Sequence, residues 1–491
     1  MFPVLGSSAP PSPPPSPPRS PRRSVVRRAV AAAALLVTVG AVPAAAHGRE
    51  EAGADPAAPC ALMSRLRVPG AERHEAACLT ELTTAGTVAS GHTDPADWAG
   101  LTPAGIDVPA GVPGIQIDGY FPDTSTTNTN HGWNHDAQFV IRLPDRWNGG
   151  LVVAGSPGVR EQYANDRAIG DWVLARGYAF AATDKGNTGT AFHRDGRAPG
   201  DAIAEWNSRV TQLTRAARAV VAQRYRRPPV RTLATGMSNG GYLVRWQLEN
   251  HPELYDGGVD WEGTLWREDG PNLLTFLPPA LASYPVYAAG GEGSGAAHRG
   301  MTDAGFPAGS EFLWPYHHRY YWDLTQRIYR EELDPDYDGA LEAGTPFCVP
   351  GVPGAPPCDS DYAYAARPAA VRDAVSKIAL TGRIGRPLIT LHGTLDVLLP
   401  ISRDSDVYAR MVTEAGRGHL FRYYRVEGGT HVDSLFDAFP DRLRPLLPCH
   451  RAAFTALEGW LGRGAPPPPG RTLPRLASAS SETLLTTCPL A

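Results

Sequence analysis

A serine with a glycine two residues away on either side constrains the fold of this chain more than any other feature. The segment 236–240 reads Gly-Met-Ser-Asn-Gly, and it lies between a short apolar run and the helix-compatible segment 242–249. A serine at a sharp turn from strand to helix requires small residues at these positions, because larger side chains would collide with the neighbouring strand and helix. The pattern therefore predicts a strand, a tight turn that presents Ser238, and a helix.

Two downstream segments contain the residue types that such a serine needs as partners. The strand-like run 387–391 leads into a loop that contains Asp396, and the alternating run 421–426 leads to His431. The chain order serine, aspartate, histidine is that of α/β-hydrolases, and it differs from the orders in chymotrypsin-like and subtilisin-like enzymes. We therefore predict that Ser238 and these two residues form a catalytic triad. The alternative is that the serine lies in an ordinary strand-to-helix loop.

The chemistry of each residue type gives it a role. A serine hydroxyl is a weak nucleophile near neutral pH, so His431 is predicted to remove its proton and later return one to the leaving group. Asp396 would hold the imidazole in the required tautomer. Alternatively, Asp396 merely ends a turn, or Asp260 supplies the carboxylate; we prefer Asp396 because its loop directly precedes the strand that leads to His431. His392 is predicted to have a structural role.

A tetrahedral intermediate also requires hydrogen-bond donors for its oxyanion. One donor is predicted to be the backbone N–H of Asn239, the residue after the serine. The second should come from the glycine-containing loop 155–160, which follows an apolar strand-like run. Pro157 has no N–H, so the donor is Ser156 or a neighbouring glycine, and we choose Ser156. The alternative is a simple glycine turn.

Strand-like and helix-like segments alternate in two parts of the chain, residues 107–263 and 381–463. The predicted strands lie at 114–121, 138–143, 150–154, 178–184, 257–259, 387–391 and 421–426, and the predicted helices at 163–176, 203–224, 242–249 and 451–461. This alternation is typical of a mostly parallel sheet with helices on both faces. We therefore predict an α/β fold, specifically the α/β-hydrolase fold.

The residues between these two parts, 264–380, are far more than a crossover connection needs, which predicts a large inserted lid. Most aromatic side chains in and just before the lid should form its own core, and some should line an apolar pocket above Ser238. The candidates are Trp261, Trp266, Phe276, Tyr284, Tyr287, Trp314, Tyr316, Tyr320, Tyr321, Trp322 and Tyr329.

The lid also contains the acidic segment 334–339, Asp-Pro-Asp-Tyr-Asp-Gly, which resembles the first half of a calcium-binding loop. The helical calcium loop has glutamate at its twelfth position, and here that position is Thr345. This excludes an EF-hand and leaves a looser calcium site or a solvated acidic turn. We predict no metal site and no cofactor.

Residues 1–46 have the pattern of an export signal. A basic stretch at 19–28 precedes the apolar stretch 29–42, which is short for a membrane span, and alanines at 44–46 suit a cleavage site. We predict a signal peptide that is cleaved after residue 46, and a secreted, extracellular protein. The alternatives are an uncleaved anchor and, for the export route, a twin-arginine signal.

The mature chain would begin with an N-terminal extension, residues 47–106, and end with a C-terminal tail, residues 464–491. An even number of cysteines outside the cytoplasm indicates disulfides. The sequence does not choose among the possible pairings, but proximity favours Cys60 with Cys78, Cys348 with Cys358 and Cys449 with Cys488.

Four segments together carry a family resemblance. Asn-Gly-Gly-Leu-Val-Val-Ala-Gly-Ser-Pro-Gly at 148–158, the segments 171–178 and 183–189, and the serine motif 236–241 are similar to secreted actinobacterial α/β-hydrolases. Within that group the chain resembles extracellular poly(3-hydroxybutyrate) depolymerases and 3-hydroxybutyrate-oligomer hydrolases, and more distantly tannase/feruloyl esterases. The resemblance covers roughly residues 110–460. It implies a serine carboxylesterase for hydroxy-acid esters, with the family's triad at the three residues identified above.

The chain departs from these families at two places. Tannase/feruloyl esterases have a cysteine before the serine and another after the histidine, whereas this chain has Met237 and Val432. Many polyester depolymerases also carry a separate polymer-binding domain, for which residues 464–491 are too few. The first departure weakens the aromatic-ester interpretation, and the second favours soluble oligomers or amorphous polymer over solid polymer.

We therefore predict an ester hydrolase that acts through an acyl-enzyme on poly(3-hydroxybutyrate) or its oligomers. The alternatives are a tannase/feruloyl-type esterase, a serine peptidase, and a non-catalytic surface-binding module on a hydrolase scaffold. The formal net charge of −4 at pH 7 provides no overall attraction for nucleic acid or anionic membranes. The predicted partner is an ester substrate, without nucleic acid or stable membrane association, and the oligomeric state stays open.

Overall fold

The computed structural model describes residues 60–337, 362–476 and 479–490. In these residues a sheet of 10 strands runs through the molecule in the order β1-β2-β3-β5-β4-β6-β7-β8-β9-β10. The strands are β1 (Arg73–Leu79), β2 (Gly114–Tyr120), β3 (Gln138–Pro144), β4 (Gly150–Gly155), β5 (Ala179–Thr183), β6 (Arg231–Met237), β7 (Gly257–Trp261), β8 (Leu388–Gly393), β9 (Phe421–Val426) and β10 (Thr472–Leu473).

Helices pack against this sheet and form the region after β7. They are α1 (Thr84–Ser90), α2 (Asp171–Ala175), α3 (Asp201–Tyr225), α4 (Asn239–Asn250), α5 (Leu273–Ala289), α6 (Ser294–Asp303), α7 (Trp314–His317), α8 (Asp323–Leu333), α9 (Ala369–Ser376), α10 (Ser405–Glu414), α11 (Leu447–Arg463) and α12 (Ser481–Thr486). No helix among the described residues is long and apolar enough to cross a membrane.

The sheet is mostly parallel, as predicted. Strands β4 to β10 pair in parallel, whereas β1, β2 and β3 form antiparallel pairs at one edge. The central strands are short apolar runs, and every residue of β4 and of β8 is buried, because helices cover both faces of a parallel sheet. The loops after β6, β8 and β9 leave the same edge of the sheet, where sites in open α/β sheets lie.

The N-terminal extension contributes a strand that the sequence analysis did not predict. Strand β1 pairs along its whole length with β2. Its residues alternate between exposed and partly exposed, so it lacks the apolar pattern of a buried strand. A disulfide between Cys60 and Cys78 holds the preceding segment against it.

The second described disulfide, Cys449–Cys488, joins α11 to the C-terminal tail. Both pairings are those that sequence proximity favours. The expected pair Cys348–Cys358 and the predicted signal peptide, residues 1–46, lie outside the described residues.

The inserted region between β7 and β8 contains helices α5 to α9. Asn272 is the N-cap of helix α5, and its side chain accepts a hydrogen bond from the Leu274 N–H in a capping box. Trp266, Trp314 and Trp322 are buried within this region. These three side chains therefore contribute to packing within the inserted region.

Candidate active site

Ser238 lies at the turn between β6 and α4. Its φ of 56° and ψ of −123° form a strained backbone conformation for a residue other than glycine. A Cβ atom at Gly236 would lie 2.6 Å from the Gly240 carbonyl carbon, and one at Gly240 would lie 2.5 Å from the Gly155 carbonyl oxygen. The glycines are required because the backbones of the turn and of the neighbouring loop approach so closely.

The structure brings the three predicted triad side chains together. The His431 Nε2 atom lies 3.0 Å from the Ser238 hydroxyl oxygen, and the Nδ1 atom lies 2.8 Å from Asp396 Oδ2. An ionised carboxylate only accepts hydrogen bonds, so Nδ1 carries the proton and Nε2 accepts from the serine hydroxyl. This is the tautomer that a general base for Ser238 needs.

The surroundings of Asp396 keep its carboxylate ionised. Burial by itself would raise its pKa, but the charge of His431 and hydrogen bonds from His392 and His431 outweigh burial, and its pKa lies below the ordinary value. The Oδ1 atom also accepts N–H hydrogen bonds from Leu398 and Leu399, each 2.8 Å long. Asp396 therefore has a fixed orientation toward the imidazole.

Asp260, the alternative source of the carboxylate, and His392, which has a predicted structural role, each have defined hydrogen-bond partners. Asp260 accepts hydrogen bonds from Arg245 Nε at 2.6 Å and from the Thr390 hydroxyl at 2.8 Å, so its carboxylate belongs to a buried ion pair behind the sheet edge. His392 donates from Nε2 to the Leu399 carbonyl at 2.8 Å, and this nitrogen lies 3.3 Å from Asp396 Oδ2. His392 thus supports Asp396, in agreement with a structural role.

The structure argues against Ser156 as an oxyanion donor. Its N–H donates to the Thr183 carbonyl at 3.1 Å, in continuation of the pairing between β4 and β5, and is therefore occupied. Gly158, a neighbouring glycine in the same loop, lines the cavity beside Ser238. Its N–H donates to no residue in the described ranges. The Asn239 N–H, at the first position of α4, has no intrahelical acceptor.

Ser156 instead links the loop after β4 to a buried lysine. Its hydroxyl donates to the Arg160 carbonyl at 2.6 Å and accepts a hydrogen bond from Lys185 Nζ. Lys185 is fully buried, and its ammonium group lies 5.1 Å from the centre of the Trp206 ring. Sequence reasoning missed this link, although the lysine lies in the segment 183–189 that carries part of the family resemblance.

A cavity of about 230 Å³ lies directly above Ser238, and its lining is mostly apolar. Two of the candidate aromatic residues, Tyr321 and Tyr329, contribute to it, and the Tyr329 hydroxyl accepts a 2.6 Å hydrogen bond from the Asn239 side chain. The apolar wall also includes Leu101 from the N-terminal extension, and the residues Leu273, Leu324, Ile328, Leu398, Leu399 and Val432. The cavity thus suits an apolar acyl group next to the serine.

Sequence reasoning also missed Glu262, which directly follows β7. Its carboxyl group is buried, and Oε2 lies 3.7 Å from His431 Nδ1. Burial and the nearby charge of Asp396 raise its pKa well above the ordinary value. The nearest signal in the sequence is Asp260, which lies two residues earlier in β7 and is the alternative candidate for the triad carboxylate.

Two groups of side chains in the described residues are spaced closely enough for a cation: Glu262, His392 and Asp396, and Asp123, Asp195 and Glu205. In the first, His392 and Asp396 are engaged in the hydrogen bonds described above. In the second, Arg209 already pairs with Asp123 and Glu205.

The acidic lid segment is described only through residue 337. There Asp334 accepts hydrogen bonds from Arg367 Nε at 2.5 Å and from the Tyr362 hydroxyl at 2.7 Å. This carboxylate is held by a guanidinium group, and the rest of the calcium-like segment lies outside the described residues.

Two family models match different parts of the chain. The model described as tannase and feruloyl esterase matches residues 124–260, and the model described as 3HB-oligomer hydrolase matches residues 352–490. The chain resembles both families. The first match includes Ser238, and the second includes Asp396 and His431, so the site contains residues from both matched segments.

Curated relatives agree with the second model. The D-(-)-3-hydroxybutyrate oligomer hydrolase of Burkholderia cenocepacia is 32% identical over 113 residues, which are 22% of this chain and 16% of that protein. The protein of the same name from Burkholderia mallei is 32% identical over 96 residues, or 18% of this chain and 14% of its own length. The matched stretch is therefore a small part of the curated relatives.

Among solved structures, feruloyl esterase B from Aspergillus oryzae has a TM-score of 0.56 and 12% sequence identity, covering 84% of this chain and 91% of that chain. At this identity the likeness concerns the fold alone. It confirms the predicted α/β-hydrolase fold.

Proposed function

We propose that this chain is a secreted serine carboxylic-ester hydrolase that acts through an acyl-enzyme. The observation that supports this most directly is the continuous set of hydrogen bonds from Ser238 through His431 to Asp396 at the base of an apolar cavity. The family models, both named for hydrolytic enzymes, favour the same reaction.

In the proposed mechanism, the Ser238 oxygen attacks the ester carbonyl carbon while His431 Nε2 takes the hydroxyl proton. The N–H groups of Asn239 and Gly158 would stabilise the oxyanion. When the intermediate collapses, the bond to the alcohol oxygen breaks and His431 donates its proton to that oxygen. Water then attacks the acyl-enzyme by the same steps, which releases the acid and restores the serine.

The proposed substrate is poly(3-hydroxybutyrate) or its oligomers. The names of the curated relatives support this choice. An apolar cavity of about 230 Å³ has room for a short acyl unit rather than for a long enclosed chain. The remaining units of an oligomer would then extend toward solvent.

A tannase/feruloyl-type esterase is the second candidate, supported by the family model over residues 124–260. Met237 and Val432, which occupy the positions of that family's cysteine pair, are buried beside the cavity. They provide an apolar surface there instead of a disulfide, which favours the aliphatic substrate.

A panel of p-nitrophenyl acyl esters, feruloyl esters, 3-hydroxybutyrate oligomers, a peptide amide and a polyhydroxybutyrate suspension tests these proposals, with wild type and Ser238→Ala. We expect ester cleavage and a loss of turnover by several orders of magnitude, roughly 10⁴-fold or more, for the variant. Equal rates for the two proteins on every ester would reject Ser238 as the nucleophile. If wild type cleaved no substrate, the result would favour a binding module. If it cleaved only feruloyl esters, the result would favour the second candidate.

Secretion is part of the proposal and rests on residues 1–46. Its test is the N-terminal sequence of protein recovered from the medium of the producing cells. We expect the mature chain to begin after Ala46. Retention of the full-length chain in the cell membrane would instead indicate an uncleaved anchor.

A further inference from the structure

Glu262 combines two unfavourable features beside the proposed triad. Its φ of 52° is in the left-handed region, which residues other than glycine rarely adopt. Its Oε1 atom accepts the Gly393 N–H at 2.7 Å, but its buried Oε2 atom has no hydrogen-bond partner within the described part of the chain. Backbone strain and an unpaired buried oxygen both cost free energy, and strained residues cluster at functional sites.

The unpaired oxygen faces the imidazole. Glu262 Oε2 lies 3.7 Å from His431 Nδ1, the nitrogen whose proton Asp396 accepts at 2.8 Å. The two carboxyl groups come from different strands, since Glu262 follows β7 and Asp396 follows β8. A small movement of the Glu262 side chain would make it a hydrogen-bond acceptor for the same nitrogen.

The two carboxyl groups differ in charge. The pKa of Asp396 is lowered despite its burial, so it is ionised, whereas burial and the negative charge of Asp396 raise the pKa of Glu262. A neighbouring negative charge disfavours ionisation of the second carboxyl group. Burial and the charge of Asp396 thus both favour the neutral form of Glu262, and loss of that charge removes the second of these causes.

We propose that Glu262 is a positioning residue of the same site, which becomes the anionic partner of His431 when Asp396 is neutral. This proposal rests on the proposed serine mechanism. In an Asp396→Asn variant the Glu262 carboxyl group would release its proton to solvent, and the resulting carboxylate would accept the Nδ1 proton of His431. The imidazole would keep the tautomer that removes the Ser238 proton.

A double-mutant cycle on a p-nitrophenyl ester tests this proposal. It compares wild type, Asp396→Asn, Glu262→Gln and the double variant in the full chain. We expect Glu262→Gln to lower kcat by less than about 10-fold in the wild-type background, because a neutral amide replaces a neutral acid. In the Asp396→Asn background we expect the same change to lower kcat and kcat/KM together by a further ~100-fold or more.

The matched control is Glu332→Gln, made in the same two backgrounds. Glu332 is also buried, accepts a hydrogen bond from the Ile203 N–H at 3.1 Å and has a pKa raised to about 8, chiefly by burial. It does not line the cavity. A carboxyl group with a merely structural role should give the same fold-change whether or not Asp396 is present.

The deciding quantity is the fold-loss of kcat caused by Glu262→Gln in the Asp396→Asn background, divided by the fold-loss caused by the same change in the wild-type background. A ratio above about 10, with a ratio near one for Glu332→Gln, supports the proposal, and any smaller ratio overturns it. Circular dichroism and thermal unfolding verify folding, and Glu262→Met replaces Glu262→Gln if the latter does not fold. Ser238→Ala is measured in parallel, because an unchanged rate in that variant would reject the serine mechanism itself and not only the role of Glu262.

Discussion

At the scale of single residues, the site depends on unusual backbone conformations at two strand ends. Ser238 and Glu262 follow the neighbouring parallel strands β6 and β7, and both have positive φ values, 56° and 52°. Each turn directs its side chain to the same imidazole. The Ser238 hydroxyl oxygen lies 3.0 Å from His431 Nε2, and Glu262 Oε2 lies 3.7 Å from His431 Nδ1. The strained conformations thus bring two residues of adjacent strands to His431.

Gly240→Ala tests the close approach at the serine turn. The added Cβ would lie 2.5 Å from the Gly155 carbonyl oxygen, which is backbone and has little freedom to move. We expect a loss of about 1–3 kcal/mol in the free energy of unfolding, measured by denaturant titration, together with reduced turnover. Gly462→Ala is the control, because nothing lies within 4 Å of a Cβ there. Equal stabilities of the two variants would contradict the steric argument.

At the scale of elements, two loops that follow adjacent strands depend on each other. The loop after β4 supplies Gly158 to the cavity, and the loop after β5 supplies the buried Lys185. Their connection is the hydrogen bond between the lysine ammonium group and the Ser156 hydroxyl. Ser156 therefore contributes to the shape of the loop rather than to oxyanion binding.

The pH dependence of the free energy of unfolding tests the burial of Lys185 between these two loops. Burial lowers the pKa of Lys185 to about 7, whereas in the unfolded chain it is about 10.4. Between these values the unfolded chain binds more protons than the folded protein, so stability rises with pH, by at most about 1.4 kcal/mol per pH unit, and is lost as the pH falls toward 7.

We expect Lys185→Met to remove this contribution to the pH dependence of the free energy of unfolding, measured in urea across that window. Lys377→Met, at the other lysine of the chain, which is exposed, is the matched control for the substitution itself. If wild type and Lys185→Met had the same slope, the ammonium group would not be desolvated as the structure indicates.

At the scale of the whole molecule, the site joins segments far apart in the chain. Ser238 lies in the segment matched by one family model, and Asp396 and His431 lie in the segment matched by the other. The inserted region between β7 and β8 contributes part of the cavity wall. Only the continuous sheet, in which β6, β7, β8 and β9 are successive neighbours, brings these parts together.

The tail is attached to this assembly through Cys449–Cys488, which closes a loop with a sequence separation of 39. Replacing both cysteines by serine should lower the free energy of unfolding by about 3–4 kcal/mol, because the unfolded chain gains conformational freedom. We expect kcat to change little, since neither cysteine lines the cavity. Thermal unfolding and ester turnover of the double variant provide the test, and an unchanged Tm would contradict the expectation.

The sequence by itself determined the order of strands and helices around Ser238 and the candidates Asp396 and His431. Apolar runs and glycine spacing are local properties, and strand ends in a parallel sheet meet at one edge. The predicted strand at 421–426 has the same bounds in the structure. Strand β1 was not predictable in this way, because an edge strand with mixed burial has no clear apolar pattern.

Only the tertiary structure decided which backbone N–H groups are occupied and which carboxyl groups share the imidazole. Ser156 and Gly158 lie in the same loop, and the sequence alone does not show which N–H is free. In the structure, pairing between β4 and β5 uses the N–H of Ser156. Asp260 and Glu262 are two residues apart, yet one pairs with Arg245 and the other faces His431. These differences arise from contacts between distant segments, which local sequence patterns do not contain.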